Sequence, residues 1–222
     1  MISLEAIDNA KHIVILTSND SFADASALYT HILRLHKKVS IVSEPQTVKS
    51  AFSFLPWFDK LRNNIPSSAD LIIDLNLEKE SLYKLFKINN ISLNKKMATA
   101  LYAGLLKRFN GFSGNDVDGI VFALVSELIN QGADYKLCNK FIANRVTLST
   151  LRLKAIMLSN MILTDTSKTA QFIITDDDLK SSGADMSEAY EIIKEALNLP
   201  YVERAILQNS NNEVLKLINK EI

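Results

Sequence analysis

The sequence predicts an α/β fold: a domain built on a parallel sheet, a linker helix, and a small α+β unit at the end. Three observations carry this. Apolar, β-branched runs at residues 12–17 and 38–42 flank an amphipathic stretch at 22–35, which is the pattern of a βαβ unit. A further apolar run, ADLIIDL at 69–75, supplies another strand of the same kind. Beyond residue 165 the rhythm changes to β-α-β-β, with Asn209-Ser210-Asn211-Asn212 forming a hairpin turn. The expected divisions are 1–144 for the first domain, 145–165 for the linker helix and 166–222 for the last unit.

Taken in order, residues 1–10 form a short leading helix with Ile2, Leu4 and Ile7 apolar. The strand at 12–17 is followed by the polar loop Ser18-Asn19-Asp20-Ser21, then by a helix whose Ala23, Ala27, Leu28, Leu33 and Leu35 recur at helical spacing. In βαβ units ligands bind at the carboxyl end of the first strand, so chemistry is expected at residues 17–26. Residues 48–61 gather Phe52, Phe54, Leu55, Trp57 and Phe58 around Pro56. Beside a parallel sheet such aromatics read as core, a stacking platform for bases being the competing reading. Asp74, inside an apolar run, needs a hydrogen-bonding partner or a place at the strand's end. In an amphipathic helix at 116–132, Val117, Ile120, Val121, Leu124, Val125 and Leu128 recur every three or four residues, and Gly132 ends it. Residues 135–143 follow, then a long helix at 145–161 whose Arg145, Arg152 and Lys154 read as a solvated face. A strand at 170–175, a helix at 187–197 and strands at 202–208 and 213–218 complete the chain.

Composition narrows the function classes. A chain of 222 residues, 47% hydrophobic and 23% charged, can bury one sizeable core or a larger and a smaller one. Its formal net charge of +0 gives no global reason to bind nucleic acid or an anionic membrane, although a local basic patch is compatible with it. With Cys138 as the single cysteine no intrachain disulfide can form, which suits a reducing cytoplasm. The N-terminal MISLEAIDNAK has acids and no long apolar core, so a signal peptide is not expected. No run approaches the roughly 20 apolar residues a membrane helix needs.

Several familiar chemistries find no residue set. Cys138 has no nearby histidine and reads as a buried structural thiol. His31 and His36, five apart, do not share the face that ligands at i and i+4 require, and with His12 they read as surface or boundary residues. Neither a Walker loop nor a dinucleotide fingerprint occurs among the 6 glycines. Asp176-Asp177-Asp178 after a strand reads as a loop and helix N-cap cluster.

Two stretches carry a resemblance. Asn19-Asp20-Ser21-Phe22-Ala23-Asp24-Ala25-Ser26-Ala27-Leu28 is similar to the second part of His-x-x-Pro-Asp-Gly-Asp-Ala-x-Gly-Ser-Ala-Leu, and Ala98-Thr99-Ala100-Leu101-Tyr102, Gly104, Leu105 and Phe112 fall without a gap on Ala-Thr-Ala-Leu-Tyr-Thr-Gly-Ile-x-x-Asp-Thr-Gly-x-Phe. Both patterns are those of the DHH phosphoesterases, the RecJ-like superfamily, and in particular of its nanoRNase and phosphoadenosine-phosphate phosphatase branch. Phe54-Leu55-Pro56 also resembles that family at this place. The resemblance implies a parallel-sheet DHH-like domain, a linker helix and a C-terminal substrate-binding domain. By the same resemblance that last domain is expected to be truncated, because the Arg-Ser segment and Gly-Gly-Gly-His loop that hold substrate phosphates in the family have no counterpart in these 222 residues.

The departures from the pattern fall on its metal ligands. The family hydrolyses phosphomonoesters or phosphodiesters with two divalent metals, normally manganese, held by carboxylates and imidazoles. Such hard ions demand these donors, and a pair of them clamps the attacking and leaving oxygens. Of those positions this chain keeps Asp20, while Phe22 stands at the second aspartate and the histidine position falls near Leu16 or Thr17. Either Asp74 or Asn76 takes the third aspartate position, Arg108 occupies the last, and the Asp-His-His segment is absent because no histidine follows His36. The expected site is thus a vestige made of Asp20, Asp74, Asn76 and Arg108, with no metal and no cofactor, in which Arg108 replaces the metal by pairing with Asp20 or Asp74. Asn19, Ser26 and Arg108 are the expected ligand-binding residues.

The resulting expectation is a non-catalytic binding or scaffolding protein of the cytoplasm with a protein partner or a small anionic ligand. Nucleic acid is not indicated by charge, and no membrane is involved. The alternative is a manganese-dependent phosphoesterase acting on short oligonucleotides or on nucleotides such as phosphoadenosine phosphate. A third reading has Arg108 and Asn19 meeting a phosphate without hydrolysis.

Overall fold

The structure, a computed structural model, describes residues 2–43, 50–77, 81–114, 116–143 and 146–220. Val48 and Arg145, which the sequence places in an aromatic stretch and at a helix start, lie outside the described residues. The chain divides into two compact units, Met1–Arg145 and Val146–Ile222.

In the first unit, β1 (His12–Leu16) pairs in parallel with β2 (Lys38–Val42) on one side and with β4 (Leu71–Asp74) on the other, and β3 (Leu61–Arg62) lies outside β2. The register opposes Ile13, Val14 and Ile15 to Val39, Ser40 and Ile41 across one side and to Leu71, Ile72 and Ile73 across the other. Ile13, Val14 and Ile15 are wholly buried, as a run without polar alternation requires when both faces of its strand are covered. The edge strand β4 is less protected, and Ile72 on it is half exposed.

Helix α1 (Leu4–Asn9), capped by the Ser3 hydroxyl, leads into β1. Helix α2 (Phe22–Arg34) returns the chain to β2, burying Phe22, Leu28 and Ile32 completely. Each such side chain contributes about 1.5–3 kcal/mol relative to exposure. Leu33 and Leu35, expected on the apolar face, lie exposed at the helix end. The segment between β4 and the next family-like motif forms α3 (Leu82–Ile88), which periodicity in so short a run did not reveal. Helix α4 (Lys95–Arg108), capped by Asn94, packs on α2. The approach is close: a Cβ on Gly104 would sit 3.1 Å from the Cβ of Ala23. Helix α5 (Gly119–Asn130) is capped by Asp118 and ends before Gly132, whose φ of +90° supplies the left-handed turn. The stretch expected at 135–143 is a short helix, α6 (Tyr135–Cys138), followed by a π turn, Asn139–Ala143.

The second unit has helix α7 (Leu148–Ser159), then β5 (Ile162–Thr164), β6 (Thr169–Ile173), α8 (Asp176–Ser182), α9 (Met186–Glu195), β7 (Arg204–Gln208) and β8 (Val214–Asn219). Its sheet runs in the order β5-β6-β7-β8, with β6 and β7 parallel and the outer pairs antiparallel. Helix α7, expected to link two domains, places Leu153 and Met157 in the core of this unit with Phe172, Ile192, Ile193 and Leu207, and so belongs to it by packing. Strand β5 lies at the end of the expected linker and is too short for alternation to have shown it. The acidic triplet fills the first turn of α8 behind a capping box in which the Thr175 hydroxyl accepts from Asp178 N and Asp178 accepts from Thr175 N.

No helix among the described residues is long and apolar enough to cross a membrane.

Candidate functional site

Past the carboxyl end of β1 the backbone amide of Thr17 donates to the Val42 carbonyl, and the chain then turns through Ser18, Asn19 and Asp20 into α2. A hydroxyl network fixes this turn. Ser21 Oγ lies 2.9 Å from Thr17 Oγ1, accepts from the Ser18 amide at 3.0 Å and donates to Asn76 Oδ1 at 2.9 Å. Asp74 ends β4, and its Oδ1 accepts from the Asn76 amide at 2.9 Å, so the carboxylate has both the terminal place and the partner its position demands. The tips of β1 and β4 are therefore tied to each other by polar side chains.

The cation at this tip is Lys107. Its Nζ donates to Asp20 Oδ1 at 2.7 Å and to the Asn19 carbonyl at 3.0 Å, and stands 5.2 Å from the centre of the Phe52 ring. The expected pairing of Arg108 with Asp20 or Asp74 is not found among the described residues. Helical phase explains the exchange. Lys107 follows Ala103 by four residues and Ala100 by seven, both of them wholly buried, so its stem is directed inward beside α2. Arg108, one residue later, is exposed, with its guanidinium 5.5 Å from the Phe109 ring.

Arg108 does act on a carboxyl that sequence reasoning passed over. Asp24 lies half-buried in the first turn of α2, where burial pushes its carboxyl up to about 6 while the Arg108 charge pulls in the other direction. The signal was there to read, because Asp24 is the one acid in an otherwise apolar run, Phe22-Ala23-Asp24-Ala25, at the contact with α4. Lys107 could likewise have been found by phasing α4 on its alanines.

The remaining expected residues are placed as follows. Ser26 is wholly buried and donates to the Pro56 carbonyl at 2.9 Å, so it braces the aromatic segment and is closed to a ligand. Phe22, standing where the family pattern has an aspartate, is buried with its ring 5.9 Å from Phe52 and edge-on to Phe58 at 5.6 Å. His12 and His31, expected at the surface or at a boundary, are buried: His12 lies between Ser68 and Ser40, and His31 packs against Phe86. Burial, and after it the neighbouring Arg34 charge, lower the His31 pKa. His36 is exposed at the end of α2. Cys138 is buried, donates to the Thr99 carbonyl, and has its thiol pushed by burial up to about 12.

A two-metal centre needs several converging carboxylates and imidazoles. At this tip Asp20 is neutralised by Lys107, Asp74 accepts a backbone amide, and Ser21 and Asn76 satisfy each other. Among the described residues no three of His, Cys, Asp and Glu gather as metal ligands. The donor set at the tip does not fit a pair of hard divalent cations.

The fold is of an α/β class with a four-stranded parallel sheet and a second, smaller sheet unit. Among solved structures it is similar to an exopolyphosphatase-related protein from Bacteroides fragilis, with a TM-score of 0.73 over 98% of this chain and 82% of that one at 14% identity, a likeness of fold. A Methanococcus jannaschii protein described as a candidate family II inorganic pyrophosphatase aligns at a TM-score of 0.33 and 10% identity over 89% of this chain and 82% of that chain, too low to read a common fold from. No protein-family model and no curated protein matches the sequence.

Proposed function

We propose that this chain is a relative of the DHH phosphoesterases in which an internal ion pair has taken the place of the two-metal centre, and that it works as a non-catalytic binding or scaffolding protein. The observation that carries this reading is the Lys107 ammonium 2.7 Å from Asp20, the carboxylate kept from the family pattern. A cation in that position opposes the approach of divalent ions by Coulomb repulsion, and it removes the charge of the carboxylate that would attract them. The phosphatase-related fold supports the family assignment, and the burial of Phe22 supports the loss of a second carboxylate.

Calorimetric titration with Mn²⁺ tests the reading. The expected result is no binding at micromolar concentration and no phosphate released from short RNA or phosphoadenosine phosphate. Micromolar binding, with hydrolysis lost in Asp20→Ala, would instead establish the phosphoesterase reading with manganese as its cofactor.

One observation favours a second reading, in which the tip holds an anion without hydrolysing it: Arg108 is exposed and makes no ion pair among the described residues. Thermal shift with nucleotides checks this, because a ligand selective for the folded state raises the melting temperature. A shift abolished in Arg108→Ala supports anion binding, and no shift with any nucleotide sinks it.

A further inference from the structure

On another face of the first unit, the end of α2 and the start of α4 enclose a groove of about 450 Å³ whose lining includes Leu33, Arg34, Trp57, Lys95 and Lys96. Three of these residues are cations, and among the described residues no acid lines the groove. The positive end of the α4 dipole adds to the same field, because the first amides of a helix have no intrahelical acceptor. The Lys95 ammonium stands 3.9 Å from the Asp134 carboxylate. The Arg34 guanidinium is held against the Ser92 carbonyl and hydroxyl, which fixes its charge at the rim.

The apolar part of the groove is as ordered as the charged part. Trp57 donates its indole N–H to Thr30 Oγ1 at 2.8 Å, its ring is 5.1 Å from that of Tyr29, and the Lys96 ammonium stands 4.9 Å from its centre. Its φ of 71° places a bulky side chain in the left-handed region, a strained conformation that costs on the order of 1–3 kcal/mol. Beside it Leu33 is 37% exposed.

We infer that this groove docks an acidic segment of a protein partner, one apolar side chain resting on Leu33 and Trp57 while neighbouring carboxylates meet Lys95 and Lys96 beneath the field of Arg34. Charge complementarity selects the acidic partner, since a lining whose charges are all cations repels basic segments and leaves neutral ones unrewarded. The aromatic geometry selects peptide over nucleic acid. Base stacking needs an open ring face, whereas the indole carries Tyr29 and Lys96 of its own chain, so the added apolar contact falls on Leu33 and the side of the ring rather than on a ring face. An amphipathic segment with an apolar anchor and acidic flanks meets both demands.

Trp57 is the only tryptophan, so its fluorescence reports on this groove alone. The probe is a synthetic peptide of roughly a dozen residues rich in Glu and Leu. Titration is expected to give a saturable change in emission that strengthens as salt is lowered. The change should weaken at least about tenfold with a peptide carrying Gln for Glu, and by a similar factor in the Lys95→Glu, Lys96→Glu double variant. Both lysines are exposed and acids suit the first turn of a helix, so the double variant keeps its fold, which circular dichroism checks. Leu33→Ser, at an exposed position, tests the apolar anchor independently and should also weaken binding. An absence of emission change up to millimolar peptide, undiminished binding by the charge-reversed variant, or tighter binding of an oligouridine than of the peptide would each overturn the inference.

Discussion

At its N-terminal end β1 begins with His12, 3% exposed, whose Nδ1 lies 2.8 Å from Ser68 Oγ and whose Nε2 lies 3.0 Å from Ser40 Oγ. Beneath it the Asp70 carboxylate accepts from the amides of Lys11 and His12, which hold its pKa below the usual carboxylate range. Past the other end of the same strand, Thr17, Ser21 and Asn76 share hydroxyl and amide contacts, and Asp20, nearly all of its side chain in solvent, reaches Lys107. Both clusters are saturated with hydrogen bonds, yet they differ in what saturates them. The base is a hydrogen-bonded network around the buried His12, closed on its outer side by the Asp70 carboxylate, that ties β2 and the approach to β4 onto β1. The tip is a surface ion pair above a hydroxyl knot, and its partners come from loops and from the last turn of a helix. Polar residues at a strand end therefore do not by themselves mark a reactive site: what matters is whether a charge remains unspent and open to solvent.

The contrast is open to measurement, beginning with its largest expected effect. Replacing His12 by Ala leaves the buried Ser40 hydroxyl without its partner and opens a void, so denaturant unfolding should show a loss of roughly 2–4 kcal/mol. An effect near zero would mean that the base network contributes nothing to the fold.

The next effect concerns Asp24, beside the tip. Its carboxyl titrates near 6 in the folded chain against an ordinary 3.8, so the folded state keeps a proton that the unfolded state releases. The Asp24 contribution to stability should accordingly be fully present below about pH 4, fall as pH rises from about 4 to 6, and stay lost above that, a difference of at most about 3 kcal/mol. Asp24→Asn should flatten this slope and stabilise the chain at neutral pH by roughly 1–2 kcal/mol, and a variant whose pH profile matches the parent would remove Asp24 from the account.

Ser21→Ala cuts three contacts of the hydroxyl knot, and a loss of about 1 kcal/mol is expected in thermal or denaturant melts. Smallest is Lys107→Met, which should change stability by less than about 1 kcal/mol because the Asp20 side chain of the pair is almost fully solvated. If Lys107→Met instead proved as costly as His12→Ala, the two ends of β1 would have to be regarded as equivalent.

Much of this fold could be read from the sequence because its central strands are continuous in hydrophobicity. The run at 38–42 matches β2 residue for residue, and β1 differs from its expected span only at Thr17, which still donates to Val42. The elements that escaped notice are short or depend on distant partners: β3 has two residues and exists through its pairing with Ile41 and Val42, and α3 is seven residues long. At the tip the expected cation is one residue from the one that pairs with Asp20: the motif match pointed to Arg108, whereas the phase of α4 against its buried alanines selects Lys107. The burial of His12 could not be anticipated because it is built by Ser40 and Ser68, 28 and 56 residues away.

The contact between Gly104 and Ala23 sets the gauge of this molecule. Lys107 lies in the last turn of α4, three residues past Gly104, and Asp20 in the turn that enters α2, three residues before Ala23, so their reach is fixed by how near the two backbones come. A single hydrogen atom in place of a methyl group at Gly104 lets an ammonium at one tip grasp a carboxylate at the other. The charge lock of the first unit is thus calibrated from a point where no charge resides.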